Sequence, residues 1–482
     1  MKEKLENNKV ISQGWTKAKI KDIVYLINGK AFKPSDWKKK GLPIIRIQNL
    51  NNINAEFNYC DDAEIERFII KKGELLFAWS GTPGTSFGTH IWKGEKAWLN
   101  QHIYKVVLNE KYINKKFLRF AINQNLEIYI NQAHGAAGLA HITKGMFDNS
   151  YILLPPFNEQ DRIVSKLDEL FTKLDAGVEE LKKLKIHVKH YRQSVLKFAF
   201  EGKLTEKWRT KNKNKIEPTA KLLIKINEER KKTLGNKYKE PELLNDNDLP
   251  LTPKGWMWVL LDALIKEIQY GTSEKASKSG EGIPVIRMGN IQDSKLVYNS
   301  MKYFPLSYAQ KSKYLLEDGD VLFNRTNSAE LVGKSAVYKS SLPVSVFASY
   351  LIRIKLYQDS YKPDFLNYFI NSEIGKNYIK SVVSQQVGQA NVNGSKLKNM
   401  PVPLLSTIEQ QQIVSEIERH FSIADEAEKI IEQSLNQAER IRQSILKKAF
   451  EGKLVPQDPN DEPTEKLLER IKKNQINIIN KK

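Results

Sequence analysis

Few residues in this sequence could do chemistry, and each set lacks a member that its reaction needs. SAELVGKS at 328–335 ends as a phosphate-cradling loop does, but Ser328 stands where glycine must let the backbone wrap the phosphates. LPPF at 154–157 has the outline of the turn in amino-methylating enzymes, where the first side chain accepts hydrogen bonds from the target amine. Leu154 offers no acceptor, and no glycine-rich loop suited to S-adenosylmethionine follows a strand. Asp364, Glu373 and Lys376 are the groups a metal nuclease uses, yet Glu373 and Lys376 lie one residue too far apart for the usual acid–lysine spacing. His187 and His190 sit one helical turn apart without further ligands, so a solvated face explains them better than zinc. The pattern argues for binding without catalysis.

Composition favours a polyanion as the partner over the bland alternative of a lysine-rich proteome. Lys and Arg number 77 against 56 Asp and Glu, a net charge of +21, and such an excess attracts a polyanion through counterion release. Hydrophobic residues at 40% of the 482 are enough to bury sizeable cores. Cys60 is the single cysteine, so no intramolecular disulfide can form and a reducing compartment fits. The opening MKEKLENNKV has no secretory apolar core and no run approaches 18 apolar residues, so a cytoplasmic protein without a membrane segment is expected.

The chain is written twice. RQSVLKFAFEGKL at 192–204 returns as RQSILKKAFEGKL at 442–454, identical at eleven of thirteen positions, and the same offset pairs Glu159-Gln160 with Glu409-Gln410. EPTAKLL at 217–223 returns as EPTEKLL at 462–468. The fronts correspond more loosely: GLPIIRIQNL at 41–50 with GIPVIRMGNI at 282–291, KGELLFA at 72–78 with DGDVLFN at 318–324. A period this long is a duplicated two-part unit rather than a solenoid.

The constant part is helical. Apolar residues fall at Ile163, Leu167, Leu170, Leu174, Val178, Leu181, Leu184, Val188, Tyr191, Val195 and Phe198, in steps of three and four, and the second copy repeats this from Ile413 through Ile441 to Ile445. Gly202 and Gly452 suit C-terminal caps. Each helix, roughly 65 Å long at 1.5 Å per residue, would expose its stripe alone, so antiparallel packing of the two is expected. The fronts read as mixed α/β, with strands at 43–47, 74–78, 102–108, 284–288, 320–324 and 350–356 and helices at 117–130 and 363–379.

The order of variable front, EQ-x-x-IV, long helix and RQS-x-LK-x-AFEGKL, repeated once, resembles the specificity subunit of type I restriction–modification systems over almost the whole chain. The resemblance implies an α+β fold: two target recognition domains separated by a pair of coiled-coil helices, with a pseudo-twofold internal repeat. The divisions expected are 1–158 and 250–408 for the recognition domains, 159–204 and 409–454 for the spacer helices, 205–249 for a linker with a docked helix, and 455–482 for a C-terminal tail helix. It implies that each domain reads one half of a bipartite double-stranded DNA site. Two methyltransferase subunits and the translocase–nuclease subunits would be partners. No cofactor is expected on this chain, while S-adenosylmethionine, ATP and Mg belong to those partners. A self-sufficient methyltransferase or nuclease, or a coiled-coil scaffold that never reads sequence, are the alternatives.

Reading bases needs donors and acceptors on strand ends and loops. The candidates are Arg46, Gln48, Asn49, Ser80, Thr82, Thr85 and Ser86 in the first domain. In the second they are Arg287, Asn290, Asn324, Arg325, Thr326, Asn327 and Ser328. Arg46 and Arg287 recur in both copies, so holding phosphate or bracing the fold competes with base choice. Trp79 could stack on a base or cap a core, and the stretches 134–141 and 385–393 could approach a DNA backbone. For Glu159, Gln160, Glu409 and Gln410, capping of the helix N-terminus is explanation enough.

Overall fold

The computed structural model describes residues 12–52, 54–61, 65–82, 85–132, 140–241, 244, 249–277, 282–306, 313–328, 331–386 and 389–479. The chain divides into two units, one formed by 1–181 with 433–482 and the other by 182–432. Each unit therefore combines a recognition domain, the start of the long helix that follows it and the end of the other long helix.

The two recognition domains share one α+β topology. In the first, an antiparallel sheet runs in the order Tyr25–Asn28, Ile103–Val107, Leu75–Ala78, Gly88–Ile91; in the second the order is Ile265–Tyr270, Leu351–Leu356, Val321–Asn324, Ser335–Val337. A smaller sheet is built on a parallel pair, Leu42–Ile45 with Ala97–Leu99 and Ile283–Ile286 with Val346–Phe347. A two-stranded ribbon, Thr16–Lys19 with Tyr151–Leu154 or Met257–Leu260 with Pro401–Leu404, closes each domain beside the long helix. Leu75–Ala78 and Val321–Phe323 are unbroken apolar runs because both faces are covered. Leu75 and Phe77 join the core beneath the helices, while Leu76 and Ala78 join a second core under the smaller sheet. Val321 and Phe323 part from Leu322 in the same way.

Several expectations are corrected in detail. The strands expected to run through Arg46 and Arg287 end at Ile45 and Ile286, because each arginine caps a short helical turn. The helix expected at 117–130 is two, Lys115–Gln124 and Leu126–Gln132, parted at Asn125. That expected at 363–379 breaks at Ser372, which is extended and whose hydroxyl caps Gly375 N. Ser372 competes for the backbone as serine does at caps.

The long helices run unbroken from Phe157 to Phe200 and from Thr407 to Phe450, 44 residues and about 66 Å each. Their pairing is antiparallel within each unit. Arg192 donates to Asp425 at 2.7 Å and to Glu428 at 2.9 Å and lies over the Phe421 ring, and Lys185 pairs with Glu432 at 3.0 Å. In the other unit Arg442, the repeat of Arg192, pairs with Asp175 and lies over Phe171. The RQS motif thus supplies a clamp on the partner helix. The seam is narrower than the apolar rhythm suggested: Leu184, Tyr191, Phe198 and Ile441 are exposed, while Arg192 is buried.

The EQ motif does more than cap. Glu159 and Gln160 are buried, as are Glu409 and Gln410. Trp15 Nε1 donates to Glu159 at 3.0 Å and Trp256 Nε1 to Glu409 at 3.1 Å. Gln160 accepts from Asn114 N at 2.9 Å and donates to Pro155 O; Gln410 accepts from Lys362 N at 2.8 Å and donates to Leu405 O. The EPT motif completes the joint, since Thr464 donates to Gly14 O and Thr219 to Gly255 O, the residues before those tryptophans. The two joints differ in the charge that Glu159 and Glu409 meet. Arg209 donates to Glu409 at 2.7 Å, whereas burial pushes the Glu159 carboxyl above its ordinary value of 4.5, with the Trp15 hydrogen bond and Arg162 opposing.

Two outcomes follow from these joints. Arg192→Ala should destabilise the second unit by about 1 kcal/mol in chemical unfolding, because it removes two charge-assisted hydrogen bonds while Lys295 still pairs with Asp425, and the exchange Arg192→Asp with Asp425→Arg should recover part of the loss. Glu159 holds its proton more tightly folded than unfolded, so its contribution is full below pH 4.5 and fades as pH rises through the raised value. Glu159→Gln should flatten the fall in stability above pH 4.5, whereas Glu409→Gln, which takes the charge partner from Arg209, should lower the melting temperature across the range.

Candidate nucleic-acid interface

The candidates sit on two loops per domain, placed by the ends of buried strands. In the first domain the turn after Leu42–Ile45 is fixed by Asn49: its Oδ1 accepts from Arg46 N at 3.0 Å and its Nδ2 donates to Ala55 O at 3.1 Å. Asn290 does the same work, accepting from Arg287 N at 3.0 Å and donating to Val297 O at 3.0 Å and Asn299 O at 3.1 Å. Both asparagines are buried, so their amides are spent on the turn. Gln48 lies exposed beside Asn49, donating to Glu56 O.

The second loop follows the central strand. Ser80 pairs with His141 across a short ribbon, and Thr82 and Thr85 are exposed. Ser86 is buried, its Oγ accepting from Thr82 N at 3.0 Å. In the second domain Asn324 is wholly buried and donates to Leu331 O; Thr326 is buried and accepts from Asn391 Nδ2 at 3.0 Å. Arg325 and Asn327 are half-buried and Ser328 is exposed. Asn49, Ser86, Asn290, Asn324 and Thr326 therefore hold the loops, leaving Arg46, Gln48, Ser80, Thr82, Thr85, Arg287, Arg325, Asn327 and Ser328 with accessible side chains. Trp79 is half-buried and donates to Gln101 O, among the rings of His102, Tyr104 and His141. Of the two stretches expected to approach DNA, residues 134–139 and 387–388 lie outside the described residues.

In the second domain the loops meet. A cleft of about 1100 Å³ has Arg287, Asn290 and Asn327 on its wall, with Lys275, Lys302 and Lys334 beside them. These four cations outnumber the lining carboxylates of Glu274 and Asp293, so the concavity favours an anionic guest. The Nε atoms of Arg46, Arg287 and Arg325 are buried without a protein acceptor. Arg46 lies 5.8 Å from the exposed Trp37 ring and Arg325 4.9 Å from Tyr270, flat platforms that hold a guanidinium while leaving donors for a ligand.

Sequence reasoning missed the third wall of this cleft, Thr272 to Ala276 with Ser349 and Tyr350. A signal existed in the glycine common to IleAsnGly at 27–29 and GlnTyrGly at 269–271. A Cβ on Gly29 would lie 2.1 Å from Asn100 O and one on Gly271 2.3 Å from Ala348 O, so both positions demand glycine to bring two strands together at the site.

Two copies of one fold, each ending its buried strands in loops of unlike polar residues, with a basic cleft at those of the second, define a nucleic-acid-reading protein with two readers. The model of the type I restriction modification DNA specificity domain matches residues 12–185 and 253–437, and the chain belongs to that family. Its part is DNA sequence choice and not catalysis. The chain is 27% identical to the type I restriction enzyme EcoKI specificity subunit of Escherichia coli strain K12, over 96% of each chain. It is 26% identical to the StySPI specificity subunit of Salmonella potsdam, over 97% of this chain and 96% of the other. Among solved structures, a chain from a type I R-M system superposes with a TM-score of 0.62 at 16% identity, covering 92% of this chain and all of that one. The HsdS subunit from Thermoanaerobacter tengcongensis superposes at 0.50 and 16% identity, covering 93% and 100%. No helix among the described residues is long and apolar enough to cross a membrane.

Asn290→Ala removes the acceptor for Arg287 N and strands two carbonyls, and should destabilise the second unit by about 2 kcal/mol in thermal or urea unfolding. The DNA sequence chosen by the folded fraction should stay the same, because the amide faces inward.

Proposed function

We propose that each recognition domain reads one half of a bipartite double-stranded DNA site, and that the paired long helices set the gap between the halves. The observation that carries this is the repetition of one domain skeleton with unlike residues on its reading loops: Ser80, Gly81 and Thr82 in one, Thr326, Asn327 and Ser328 in the other. Two readers of different sequence on a common frame suit an asymmetric site. The unbroken 44-residue helices, clamped to each other by Arg192 and Arg442, supply the stiffness that a fixed spacer needs.

Two methyltransferase subunits dock on the repeated helices in this reading, and translocase–nuclease subunits join them. Support comes from the apolar side chains that the helices leave exposed in the second unit, Leu184, Ile186, Tyr191, Phe198, Ile423 and Ile430. S-adenosylmethionine, ATP and Mg²⁺ are bound by those partners, and the cytoplasm is where the assembly works.

Exchanging residues 1–158 for the front of another family member should change one half of the modified sequence and leave the other half and the gap intact, read by mapping methylated positions in cells that also carry the partner subunits. Both halves changing would overturn the modular reading. A heptad inserted in each long helix, about 10 Å, should lengthen the gap alone.

A further inference from the structure

The two recognition domains differ tellingly at one backbone position. Matching Leu75–Ala78 to Val321–Asn324 sets Trp79 against Arg325, each the first residue beyond a fully buried strand. Both side chains are half-buried and both reach the main chain just before a matching strand, Trp79 Nε1 donating to Gln101 O at 3.1 Å and Arg325 Nη1 to Ser349 O at 3.5 Å. The neighbour has changed with the residue. The short ribbon that follows pairs His141 with Ser80 and Asn391 with Thr326, and these are the residues that touch the varying side chain. His141 meets Trp79 edge-on at 4.6 Å, whereas Asn391 Oδ1 accepts from Arg325 Nη2 at 3.5 Å and its Nδ2 donates to Thr326 Oγ1 at 3.0 Å. One domain carries an aromatic pair where the other carries a guanidinium braced by a carboxamide.

The backbone under Arg325 is pinned at both ends, its N–H donating to Tyr350 O at 3.0 Å and its carbonyl accepting from Val392 N at 2.9 Å. The Tyr270 ring lies 4.9 Å from the guanidinium, and the two side-chain hydrogen bonds are long enough to yield to better acceptors. Guanine presents two acceptors, O6 and N7, on its major-groove edge at the spacing of an arginine fork. The sole side-chain donor of Trp79 is committed to Gln101 O, which leaves it apolar contact alone.

We propose that position 79/325 determines specificity: Arg325 selects a guanine in the half-site of the second domain, and Trp79 removes that choice from the first. This rests on the reading that each domain recognises one half-site. It assigns base choice to a residue that differs between the copies and leaves the recurring Arg46 and Arg287 to other contacts.

The test maps methylated positions in cells carrying the partner subunits with wild type, Arg325→Lys, Arg325→Ala or the paired exchange Arg325→Trp with Asn391→His. The wild-type second half-site should hold a fixed guanine. Arg325→Ala should lower discrimination at that position by about tenfold or more and change nothing in the first half-site, which serves as the internal control. Arg325→Lys should lower it less, and the paired exchange should abolish the guanine preference while modification continues. The proposal fails if the wild-type second half-site has no fixed guanine, or if Arg325→Ala leaves that position unchanged. It also fails if every variant loses methylation at all sites alike although the complex assembles. Failure of the underlying reading looks different, as wild-type modification without two separated halves.

Discussion

Everything the recognition loops can do depends on a buried carboxylate–carboxamide pair at the start of each long helix. Glu159 and Gln160 connect the helix to Trp15, to the Asn114 loop and to the proline turn before it, and Glu409 and Gln410 repeat the arrangement. A charged or amide group so deep is costly unless its partners are held in place. The pair therefore permits one seating of domain on helix and penalises others, which a greasy interface of equal area would not do. A reader that must arrive on DNA in a set orientation needs that kind of joint.

The same economy governs the domains. Residues that recur, such as Asn49 with Asn290, are occupied in holding turns, while residues that differ, such as Trp79 against Arg325, stand on the frame those turns create. Constancy and variation are thus separated within a few residues of each other. A loop can change its side chains without moving its backbone, because the strand behind it is buried on both faces.

The duplication, the long helices and the strand runs at 74–78 and 320–324 were legible in the sequence, since each leaves a period or an uninterrupted apolar stretch. The sheet partners at 25–28 and 88–91 were not, being short and partly polar strands whose existence depends on a neighbour far along the chain. Helix breaks at Asn125 and Ser372 hid inside continuous apolar rhythm, because a side-chain cap overrides periodicity. Of the site, residue types and loops could be read in advance, but not direction. Asn290 and Asn327 look alike on paper, and only packing tells that the amide of one is spent on its own turn while the other side chain stays half-buried at the cleft. The role of the arginine in RQS was invisible for a similar reason: its carboxylate partners lie more than 230 residues away.

One unit is a continuous stretch, 182–432, and the other is assembled from 1–181 and 433–482. During synthesis the second reader can therefore close its core while the ribosome is still at work, but the first must wait. Ala449, Leu467 and Ile471 fill the core around Phe117 and Ile163, and they are made only after the whole of the second unit. The domain made first is finished last, and until the tail arrives its apolar face has no lid. A nascent chain of this design carries an unclosed core while residues 182–432 are made, a period in which chaperones have the most to protect.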